Sequence, residues 1–453
     1  MGPKPKGGQD SNMSDANTST TASKSIEVRT RQRQFLFPCA PPYYQDPLVL
    51  VKGEGSFVED IEGRRFLDLF SGILTTSVGH CHPEVVEQVR QQVGVLGHTS
   101  TLYLTETQVQ VAEQLANISP GDLTQSFFTN SGTEAVETAI MAACLWTGRS
   151  EIIALRHSYS GRSLLTSNMT AHAPWRPLAT SIPGIKHVMS PYPYRCPFGT
   201  PCDEGCLDAL ARDLEEVIAT TTNGKPAAFF AETILGVGGY IVPPPGYFQR
   251  AAEIIRRHGG LFISDEVQTG FGRTGNKWFG IEHWEVEPDI MVMAKGIANG
   301  FPVGATLTRP EIARAWTAKT ISTFGGNPVS MAAASATLQV MAKEDTPGRS
   351  AVRGEQLRRG LEKLADPYSW IGEVRGMGLM QALELVEDPV TKKASPSKAQ
   401  ALLEATKAEG LLVGLGGLDG HVIRLGPSML ISEEEVAEGL ERLGRACRRV
   451  EEG

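Results

Sequence analysis

Apolar residues follow two alternating patterns between about residues 104 and 323. Short runs that are apolar throughout, such as SFFTN, EIIAL, AAFFAET, GLFISDEV and DIMVMAKG, are separated by segments such as FQRAAEIIRRHG, in which apolar residues recur every three or four positions. Runs of the first kind indicate strands buried on both faces, and segments of the second kind indicate helices that cover such strands. The pattern therefore predicts an α/β fold whose large domain contains a mostly parallel sheet.

The segments that flank this region follow other patterns. GSFVEDIEGRRFLDLF alternates apolar and polar residues around Glu62 and Gly63, which predicts a β-hairpin. After Gly326, MAAASATLQVMAKE predicts a helix, VRGMGLMQALEL predicts a strand followed by a helix, and SEEEVAEGLERLGRACRRV predicts a terminal amphipathic helix. We therefore expect a smaller α+β domain that is made from both ends of the chain.

These patterns divide the chain into four regions. Residues 1–33 are rich in Gly, Ser, Thr, Asn and Lys and have few large apolar side chains, so burial does not offset their ordering entropy and we expect a flexible N-terminal arm. We place the N-terminal part of the small domain at residues 34–103, the large domain at 104–326 and the C-terminal part of the small domain at 327–453.

Composition narrows the class of protein. Of the 453 residues, 41% are hydrophobic and 21% are charged, which is typical of a globular protein and not of a disordered one. The formal net charge is −8, so the chain lacks the basic excess of a sequence-independent nucleic-acid binder. No apolar stretch approaches the roughly 20 residues that span a bilayer, and seven cysteines in so long a chain do not resemble a secreted disulfide framework. We expect a cytoplasmic protein with neither nucleic acid nor membrane as a partner.

A lysine and an acid follow two of the apolar runs. Asp265 comes directly after GLFIS, and Lys295 comes directly after DIMVMA, about one helix-containing crossover later. The carboxyl ends of parallel strands meet at one edge of a sheet, where ligands bind. A buried ion pair is one interpretation, but a buried lysine is costly unless it is paired or used as an amine nucleophile. Pyridoxal 5′-phosphate needs these two residue types, because the lysine binds its aldehyde and the aspartate keeps its ring nitrogen protonated.

That cofactor also needs a phosphate-binding turn, and one candidate follows the run SFFTN. Ser131, Gly132 and Thr133 stand between a predicted strand and a predicted helix that begins with Glu134. Free backbone N–H groups and the positive end of a helix can bind a phosphate at such a turn. The same residues also fit an ordinary helix cap with a capping-box acid, so the turn by itself does not decide between the two interpretations.

Several motifs together resemble one known family. SGILTTSVGHCHPEVV, NSGTEA, SDEVQTGFGRTG, PDIMVMAKGIANGFPVGA and STFGGNP, which lie between about Pro47 and Pro427, resemble the class III (omega-type) pyridoxal-phosphate aminotransferases of fold type I. Within that family the chain is most similar to the alanine–glyoxylate aminotransferase 2-like group. The resemblance implies a transferase that uses pyridoxal 5′-phosphate and assembles as a homodimer or as a dimer of dimers.

The resemblance also implies functional residues, position by position. Lys295 matches the Schiff-base lysine, which moves the proton between the substrate and the cofactor, and Asp265 matches the partner of the pyridine nitrogen. These two are the predicted catalytic residues. The positions that match cofactor-binding residues of the family are Ser131, Gly132, Thr133, Tyr159, Glu232, Asp265, Gln268, Lys295 and Thr323.

Four of the matching positions have more specific implied roles. Gln268 matches the residue that binds the phenolic oxygen of the cofactor, and Tyr159 matches the aromatic residue that stacks on the pyridine ring. Thr323 matches a phosphate ligand that comes from the partner subunit, and Arg424 matches the arginine that binds the α-carboxylate of the substrate. Three of them also have a structural alternative: Tyr159 as a core aromatic, Thr323 as a turn cap and Arg424 as one half of a salt bridge.

The chain departs from the family pattern at positions that bear on the substrate. Ser160 stands where a histidine is common, and residues 232–236 are Glu-Thr-Ile-Leu-Gly in place of Glu-Pro-x-Gln-Gly, so a glutamine contact is lost. Val237 stands where members that use 2-oxoglutarate often carry a second acid. We therefore expect Arg424 to have no acid partner and an unengaged guanidinium, which suits a substrate with one carboxylate. Ile73 replaces a glutamine of dialkylglycine decarboxylase, which weakens a decarboxylase hypothesis.

Two groups of potential metal ligands have simpler explanations. Cys196, Cys202 and Cys206 lie close together in the sequence, but no spacing is Cys-x-x-Cys and no fourth ligand is evident, so we prefer a lid loop with free thiols to a zinc site. His80 and His82 in GHCHP are expected to shape a turn. We therefore expect no metal.

The sequence thus predicts a homodimeric aminotransferase. It moves an amino group from an amine or amino acid to a small 2-oxo acid, with glyoxylate or pyruvate used before 2-oxoglutarate. A lyase on the same scaffold, either a dialkylglycine-type decarboxylase or an amine-phosphate phospho-lyase, is the alternative. A binding protein on an inactive fold is disfavoured, because Lys295, Asp265 and the phosphate-binding turn are all intact.

Overall fold

The computed structural model describes residues 13–178, 181–199 and 204–453. Its helices are α1 (Met13–Phe35), α2 (Ser71–Leu74), α3 (Pro83–Val95), α4 (Glu106–Ile118), α5 (Gly132–Thr147), α6 (Leu164–Met169), α7 (Glu204–Thr221), α8 (Tyr247–Arg257), α9 (Pro310–Ala315), α10 (Pro328–Lys343), α11 (Thr346–Ala365), α12 (Pro396–Ala408) and α13 (Glu433–Glu452). Within these three ranges, no helix has both the length and the apolar character that crossing a membrane requires.

Its strands are β1 (Leu50–Glu54), β2 (Phe57–Asp60), β3 (Arg65–Asp68), β4 (Gln125–Thr129), β5 (Ile152–Leu155), β6 (Ile185–Val188), β7 (Ala228–Glu232), β8 (Leu261–Asp265), β9 (Ile290–Met293), β10 (Gly304–Thr308), β11 (Ile371–Met377), β12 (Met380–Asp388), β13 (Lys393–Ala394), β14 (Leu411–Leu412), β15 (Gly414–Gly416) and β16 (Val422–Leu425).

The central sheet has seven strands in the order β4-β10-β9-β8-β7-β5-β6. Strands β6, β5, β7, β8 and β9 pair in parallel, whereas β10 is antiparallel to both β4 and β9. Successive residues such as Phe262 and Ile263 belong to two separate apolar clusters, one on each face of the sheet. Burial on both faces explains why these strands are apolar throughout. The predicted α/β class and the mostly parallel sheet are confirmed.

Two smaller sheets use residues from the flanking regions. One has the order β1-β2-β3-β14, and in it Leu67 of β3 lies opposite Leu411 of β14. The other has the order β11-β12-β16-β15, with β13 paired to β12. Strands from both ends of the chain therefore share one sheet. The domain boundaries at residues 34, 104 and 327 stay a prediction.

The structure confirms some local predictions and corrects one. The predicted hairpin is formed by β2 and β3, and Gly63 has a φ of 80° in its turn. The terminal helix is α13, whose Ser432 Oγ accepts a hydrogen bond from the Glu435 N–H at 3.1 Å. The prediction of a helix after the strand in VRGMGLMQALEL is wrong. Those residues lie in β11 and β12, an antiparallel pair joined at Gly378, whose φ of 53° closes a tight turn.

The predicted flexible arm also differs from the structure. Residues 13–35 form α1, and the first twelve residues of the predicted arm lie outside the described residues. In the part of this helix whose side chains are described, residues 24–35, Ile26 and Val28 are exposed. A helix satisfies most of its backbone groups internally and therefore forms without a large apolar face. Contacts such as the ion pair between Arg29 and Asp46 attach it to the rest of the chain.

One buried carboxylate holds the segment that follows β8. Glu266 accepts hydrogen bonds from the backbone N–H groups of Gly280 and Ile281 at 2.8 Å each and from Thr233 Oγ1 at 3.0 Å. Thr269 Oγ1 also donates to it. These bonds connect the end of β8 with the residue after β7 and with the loop before β9. The carboxyl edge of the sheet is therefore fixed where Asp265 emerges.

We expect Glu266→Ala to lower the free energy of unfolding by about 3 kcal/mol, because several buried donors lose their acceptor. Denaturant unfolding followed by fluorescence measures this change. Glu253→Ala is the control, since Glu253 is exposed on α8 and its removal should change stability by no more than about 0.5 kcal/mol. Equal stability of the two variants would contradict the assigned role of Glu266.

Candidate active site

A cavity of about 180 Å³ lies at the carboxyl ends of β7, β8 and β9. Open α/β sheets bind ligands at this position. Most of the residues predicted from the sequence line the cavity, namely Gly132, Thr133, Tyr159, Glu232, Asp265, Gln268 and Lys295. Residues that are far apart in the chain are thus brought to one edge of the sheet.

Lys295 follows β9 and stands at the wall of the cavity. Its φ of 47° is in the left-handed region, which is costly for a residue with a side chain and is typical of functional sites. Removal of water lowers the pKa of its ammonium group to about 8, although the charges of Asp265 and Glu232 act in the opposite direction. A substantial fraction of this lysine is therefore a neutral amine at a pH where an exposed lysine is charged.

Asp265 and Glu232 lie side by side at the ends of β8 and β7, where they are direct partners in the parallel pairing. Both are almost completely buried. Burial raises the pKa of Asp265, and the neighbouring charge of Glu232 raises it further, whereas a hydrogen bond from the Val267 N–H at 2.9 Å lowers it. Burial likewise raises the pKa of Glu232. A cationic group bound between these carboxylates and Lys295 would lower the pKa of both carboxyl groups, because it would favour their charged forms.

Glu232 uses both carboxylate oxygens to hold backbone. Oε1 accepts a hydrogen bond from the Tyr159 N–H and Oε2 accepts one from the Gly236 N–H, each at 2.8 Å. The sequence resemblance assigned Glu232 to cofactor binding. The structure gives it a positioning role as well, because it fixes the aromatic residue at the cavity and the start of the turn after β7.

The predicted phosphate-binding turn is also a helix cap. Ser131 Oγ accepts a hydrogen bond from the Glu134 N–H at 3.2 Å, which caps the 16-residue helix α5. The Glu134 side chain accepts from the Asn130 N–H at 2.8 Å. Gly132 and Thr133, the first residues of the helix, line the cavity. The two interpretations of this segment are therefore compatible, since the cap orients the same helix N-terminus that faces the cavity.

Gln268 and Tyr159 occupy other parts of the wall. Gln268 Oε1 is buried and has no hydrogen-bond partner among the described residues. A Cβ atom on Gly236 would lie 2.0 Å from Gln268 Nε2, so any larger residue at this position would displace the Gln268 amide from its present place at the wall. The Tyr159 ring meets the Trp175 ring edge to face, with centroids 5.7 Å apart. Sequence reasoning missed Trp175, because no motif or periodicity marks it.

Thr323 and Arg424 do not line the cavity in the described part of the chain. Thr323 is exposed. Arg424 is buried, and it donates hydrogen bonds to Gly236 O at 3.1 Å and to Leu415 O at 2.7 Å. The expectation of an unengaged guanidinium is therefore wrong, because backbone carbonyls bind it where Val237 provides no acid. Among the described residues, no carboxylate forms an ion pair with Arg424.

The potential metal ligands do not form a metal site in the described ranges, which contain no group of three or more His, Cys, Asp or Glu that could hold an ion. His80 Nε2 lies 2.8 Å from Asp68 Oδ2, and His82 precedes α3 as its N-cap residue without a side-chain hydrogen bond to the cap, so their role in shaping a turn stays a prediction. Cys196 Sγ and Cys206 Sγ lie 3.5 Å apart. Cys202 lies outside the described residues.

Comparison with known proteins assigns the family. Residues 39–447 match the family model for aminotransferase class-III. The chain is 41% identical to alanine–glyoxylate aminotransferase 2 homolog 2, mitochondrial, of Arabidopsis thaliana, over 90% of this chain and 84% of that protein. It is 40% identical to acetylornithine aminotransferase of Mycolicibacterium smegmatis, over 87% of this chain and 92% of that protein. The structure of a PLP-bound amine transaminase from an uncultivated Pseudomonas species has a TM-score of 0.87 and 32% identity, covering 92% of this chain and 98% of that one.

The fold and the lysine–carboxylate cavity are those of an enzyme that uses pyridoxal 5′-phosphate. The chain belongs to the class III aminotransferase family. It is an aminotransferase of fold type I, and the names of these relatives favour amino transfer over the lyase alternatives.

The cavity fits the family's cofactor. Lys295 provides an amine of lowered pKa, and Asp265 provides a buried carboxylate on the neighbouring strand. Gln268 Oε1 is a buried acceptor that still needs a donor. The N-terminus of α5 supplies backbone N–H groups beside the cavity. Each chemical group of pyridoxal 5′-phosphate thus has a residue type that can hold it.

We expect covalent capture of pyridoxal 5′-phosphate by the apoprotein to increase as the pH rises through about 8, because only the neutral amine of Lys295 attacks an aldehyde. Borohydride reduction at each pH, followed by peptide mass spectrometry, measures the modified fraction of Lys295. Lys343 is the control, since its hydrogen bond to Glu84 raises its pKa above the ordinary lysine value. A midpoint for Lys295 at the pH of an exposed lysine would contradict the assignment.

Proposed function

We propose that this enzyme transfers an amino group from an amine or amino acid to a small 2-oxo acid, with glyoxylate or pyruvate preferred to 2-oxoglutarate. The observation that carries the proposal is the environment of Arg424. Val237 offers no carboxylate to this arginine, and the guanidinium donates to the carbonyls of Gly236 and Leu415. An arginine has five N–H donors, so three remain for the single carboxylate of a small 2-oxo acid. The Arabidopsis relative named as an alanine–glyoxylate aminotransferase supports the same acceptor class.

The proposed roles of the residues follow from their positions. Bound pyridoxal 5′-phosphate supplies an aldehyde that condenses with amines and a ring that accepts the electron pair left at the substrate carbon. The neutral amine of Lys295 would take the proton from the α-carbon of the donor and return it to the former aldehyde carbon of the cofactor, on the other side of the amino nitrogen. Asp265 keeps a proton on the ring nitrogen. Tyr159, fixed through its N–H by Glu232, covers one face of the ring.

Two further residues would hold the cofactor in this proposal. The amide of Gln268 would bind the phenolic oxygen, which agrees with its buried atoms at the cavity wall. The N-terminus of α5, with Thr133 in its first turn, would bind the phosphate. Both contacts fix the ring relative to Lys295, and this orientation contributes to catalysis because the reacting atoms start close together.

We expect kcat/KM for glyoxylate and pyruvate to exceed that for 2-oxoglutarate, because Arg424 would bind one carboxylate and the described cavity wall contains no further arginine for a second one. Steady-state kinetics with one saturating amino donor measure the three values. In Val237→Glu the new acid would pair with Arg424, so activity with the monocarboxylate acceptors should fall by about tenfold or more. A higher kcat/KM for 2-oxoglutarate in the unaltered enzyme would contradict the proposal.

We also propose that the enzyme is a homodimer in which Thr323 of the partner subunit contributes to the phosphate site. Thr323 is exposed and lies outside the cavity of its own chain. The next residue, Phe324, is 61% exposed, and its ring lies 5.0 Å from that of His98, which belongs to a segment where Val95 and Leu104 are also exposed. An exposed apolar surface of this kind is typical of a subunit interface.

We expect Thr323→Val to weaken cofactor binding by about 1.5–3 kcal/mol, the contribution of a hydrogen bond to a charged group. It should lower the melting temperature of the holoenzyme more than that of the apoenzyme, because cofactor binding and assembly would be linked. Calorimetry and ultracentrifugation of both forms measure these effects. Thr320→Val, an exposed threonine three residues earlier, is the control. Equal destabilisation of the apo and holo forms would mean that Thr323 only caps a turn.

We further propose a cytoplasmic location, which the acidic charge balance and the scattered cysteines support. The printed name of the Arabidopsis relative includes the word mitochondrial. Microscopy of the tagged full chain with a mitochondrial marker distinguishes the two locations.

A further inference from the structure

We infer that Arg375, with its buried partner Glu384, is a positioning residue that sets the orientation of Arg424 through the turn after β7. The inference rests on the proposed role of Arg424 in binding the carboxylate of the acceptor. It adds residues that no motif of the sequence marks and that do not line the cavity.

The two arginines lie on the same face of one small sheet. Arg375 of β11 pairs opposite Ala382 of β12, and Ala382 pairs opposite Arg424 of β16. Residues that are directly opposite in adjacent strands project to the same side of the sheet, and neighbouring strands are about 4.8 Å apart. The two backbones are therefore about 10 Å apart, with their side chains parallel. Glu384, two residues after Ala382, projects to this face as well.

Both guanidinium groups reach the same turn, residues 236–240. Arg424 Nη1 donates to Gly236 O at 3.1 Å, and Arg375 Nε donates to Gly239 O at 2.8 Å. Gly236 O also accepts hydrogen bonds from the N–H groups of Gly239 and Tyr240, at 3.2 and 3.4 Å. The two arginines thus hold the two ends of one tight turn. Moving Gly239 would move the carbonyl on which Arg424 depends.

Gly239 packs closely against Arg375 and Val422. This residue has a φ of 108°, and a Cβ atom on it would lie 2.9 Å from Arg375 Nη2 and 2.9 Å from Val422 Cγ2. The carbonyl of Val237 in the same turn accepts from the Gly417 N–H at 2.9 Å, which attaches the turn to the residue after β15. The orientation of the turn is therefore sensitive to the position of the Arg375 guanidinium.

Glu384 holds the guanidinium of Arg375 in position. Its carboxylate is fully buried and accepts hydrogen bonds from Arg375 Nη1, Tyr192 Oη and Arg195 Nε. Arg375 Nη1 also donates to Glu373. Burial raises the pKa of Glu384, but hydrogen bonds and the charges of Arg375 and Arg195 outweigh burial and hold it below the ordinary value. A buried ion pair is a weak source of stability, whereas its fixed geometry is well suited to positioning.

The environment of Arg424 explains why positioning matters. Its guanidinium lies beside the rings of Phe70 and Tyr240, at 5.1 and 5.5 Å from their centroids. Its Nε is buried and has no hydrogen-bond partner among the described residues. A Cβ atom on Gly416 would lie 2.6 Å from this Nε. The carbonyls of Gly236 and Leu415 and the rings of Phe70 and Tyr240 therefore set the orientation of the guanidinium, and a displaced turn would change the direction of the N–H groups that remain for a carboxylate.

The test uses the holoenzyme with pyruvate as acceptor and propanoate as a competitive inhibitor that has a carboxylate but no carbonyl. In Arg375→Met we expect KM for pyruvate and Ki for propanoate to rise together by about tenfold, the change that follows from weakening one charge-assisted hydrogen bond. We expect kcat to change by less than about threefold, because lost binding that is common to ground and transition states raises KM alone. Arg375→Lys is the second variant, in case Arg375→Met folds poorly. It keeps the charge beside Glu384 but cannot donate to Glu384 and Gly239 O together, so it should raise KM for pyruvate and Ki for propanoate in the same way.

Two further variants separate positioning from general stability. Arg309→Met is the matched control, because Arg309 pairs with the buried Asp289 just before β9, at the opposite end of the strand from Lys295. It should leave Ki for propanoate unchanged. In an Arg424→Met background, Arg375→Met should cause no further rise in Ki, since the two residues act through one contact.

The outcomes distinguish this inference from the proposed function. If Arg424→Met leaves Ki for propanoate unchanged, the proposed role of Arg424 fails. If Arg424→Met raises Ki but neither Arg375 variant does, the positioning role is wrong. If the Arg375 variants show a lower kcat and a lower melting temperature at constant Ki, Arg375 stabilises the fold but does not position Arg424.

Discussion

Three ionisable side chains are removed from water at the ends of three adjacent strands, and the rest of the site depends on how their charges are balanced. Glu232, Asp265 and Lys295 follow or end β7, β8 and β9, and these strands are direct neighbours in the central sheet. Burial opposes the charged form of each group, as does the repulsion between Glu232 and Asp265, whereas the attraction between Lys295 and the two carboxylates favours the charged forms. Parallel pairing places Glu232 directly beside Asp265, about 4.8 Å away along the hydrogen-bonding direction, and Lys295 follows three residues after Val292, the partner of Asp265 in β9. The sheet therefore supplies the proximity, and the polar contacts around it determine the protonation states.

The segments after these strands are held by carboxylates that do not themselves react. Glu266 binds the loop before β9, and Glu232 binds the backbone of Tyr159 and Gly236. Carboxylates accept several hydrogen bonds at once, so one buried side chain can fix two or more segments. Positions of the reacting groups are thus set by backbone contacts rather than by side-chain packing alone. This arrangement explains why glycines such as Gly236 occur where a methyl group would meet a functional side chain.

Much of the central fold and of the site could be predicted from the sequence. The sequences of β5 and β7–β9 are short runs with few polar residues. Asp265 and Lys295 stand directly after such runs. The hairpin of β11 and β12 could not be predicted, because β12 is buried on both faces and shows no period of two. Arg375 and Trp175 could not be identified either. Their roles depend on contacts between strands and loops that are distant in the chain, and neither residue belongs to a local pattern.

The pairing of β3 with β14 has a consequence for how the chain reaches its native state. Leu67 and Leu411 are opposite each other, so the sheet that begins near the N-terminus is completed only when most of the polypeptide exists. At about 5–20 residues per second on the ribosome, the edge of β3 waits roughly 20–70 s for its partner. Contacts of such long sequence separation slow folding and leave a strand edge open to other chains. The edge of β3 is thus open to pairing with other chains during most of the synthesis of the protein, until β14 is made.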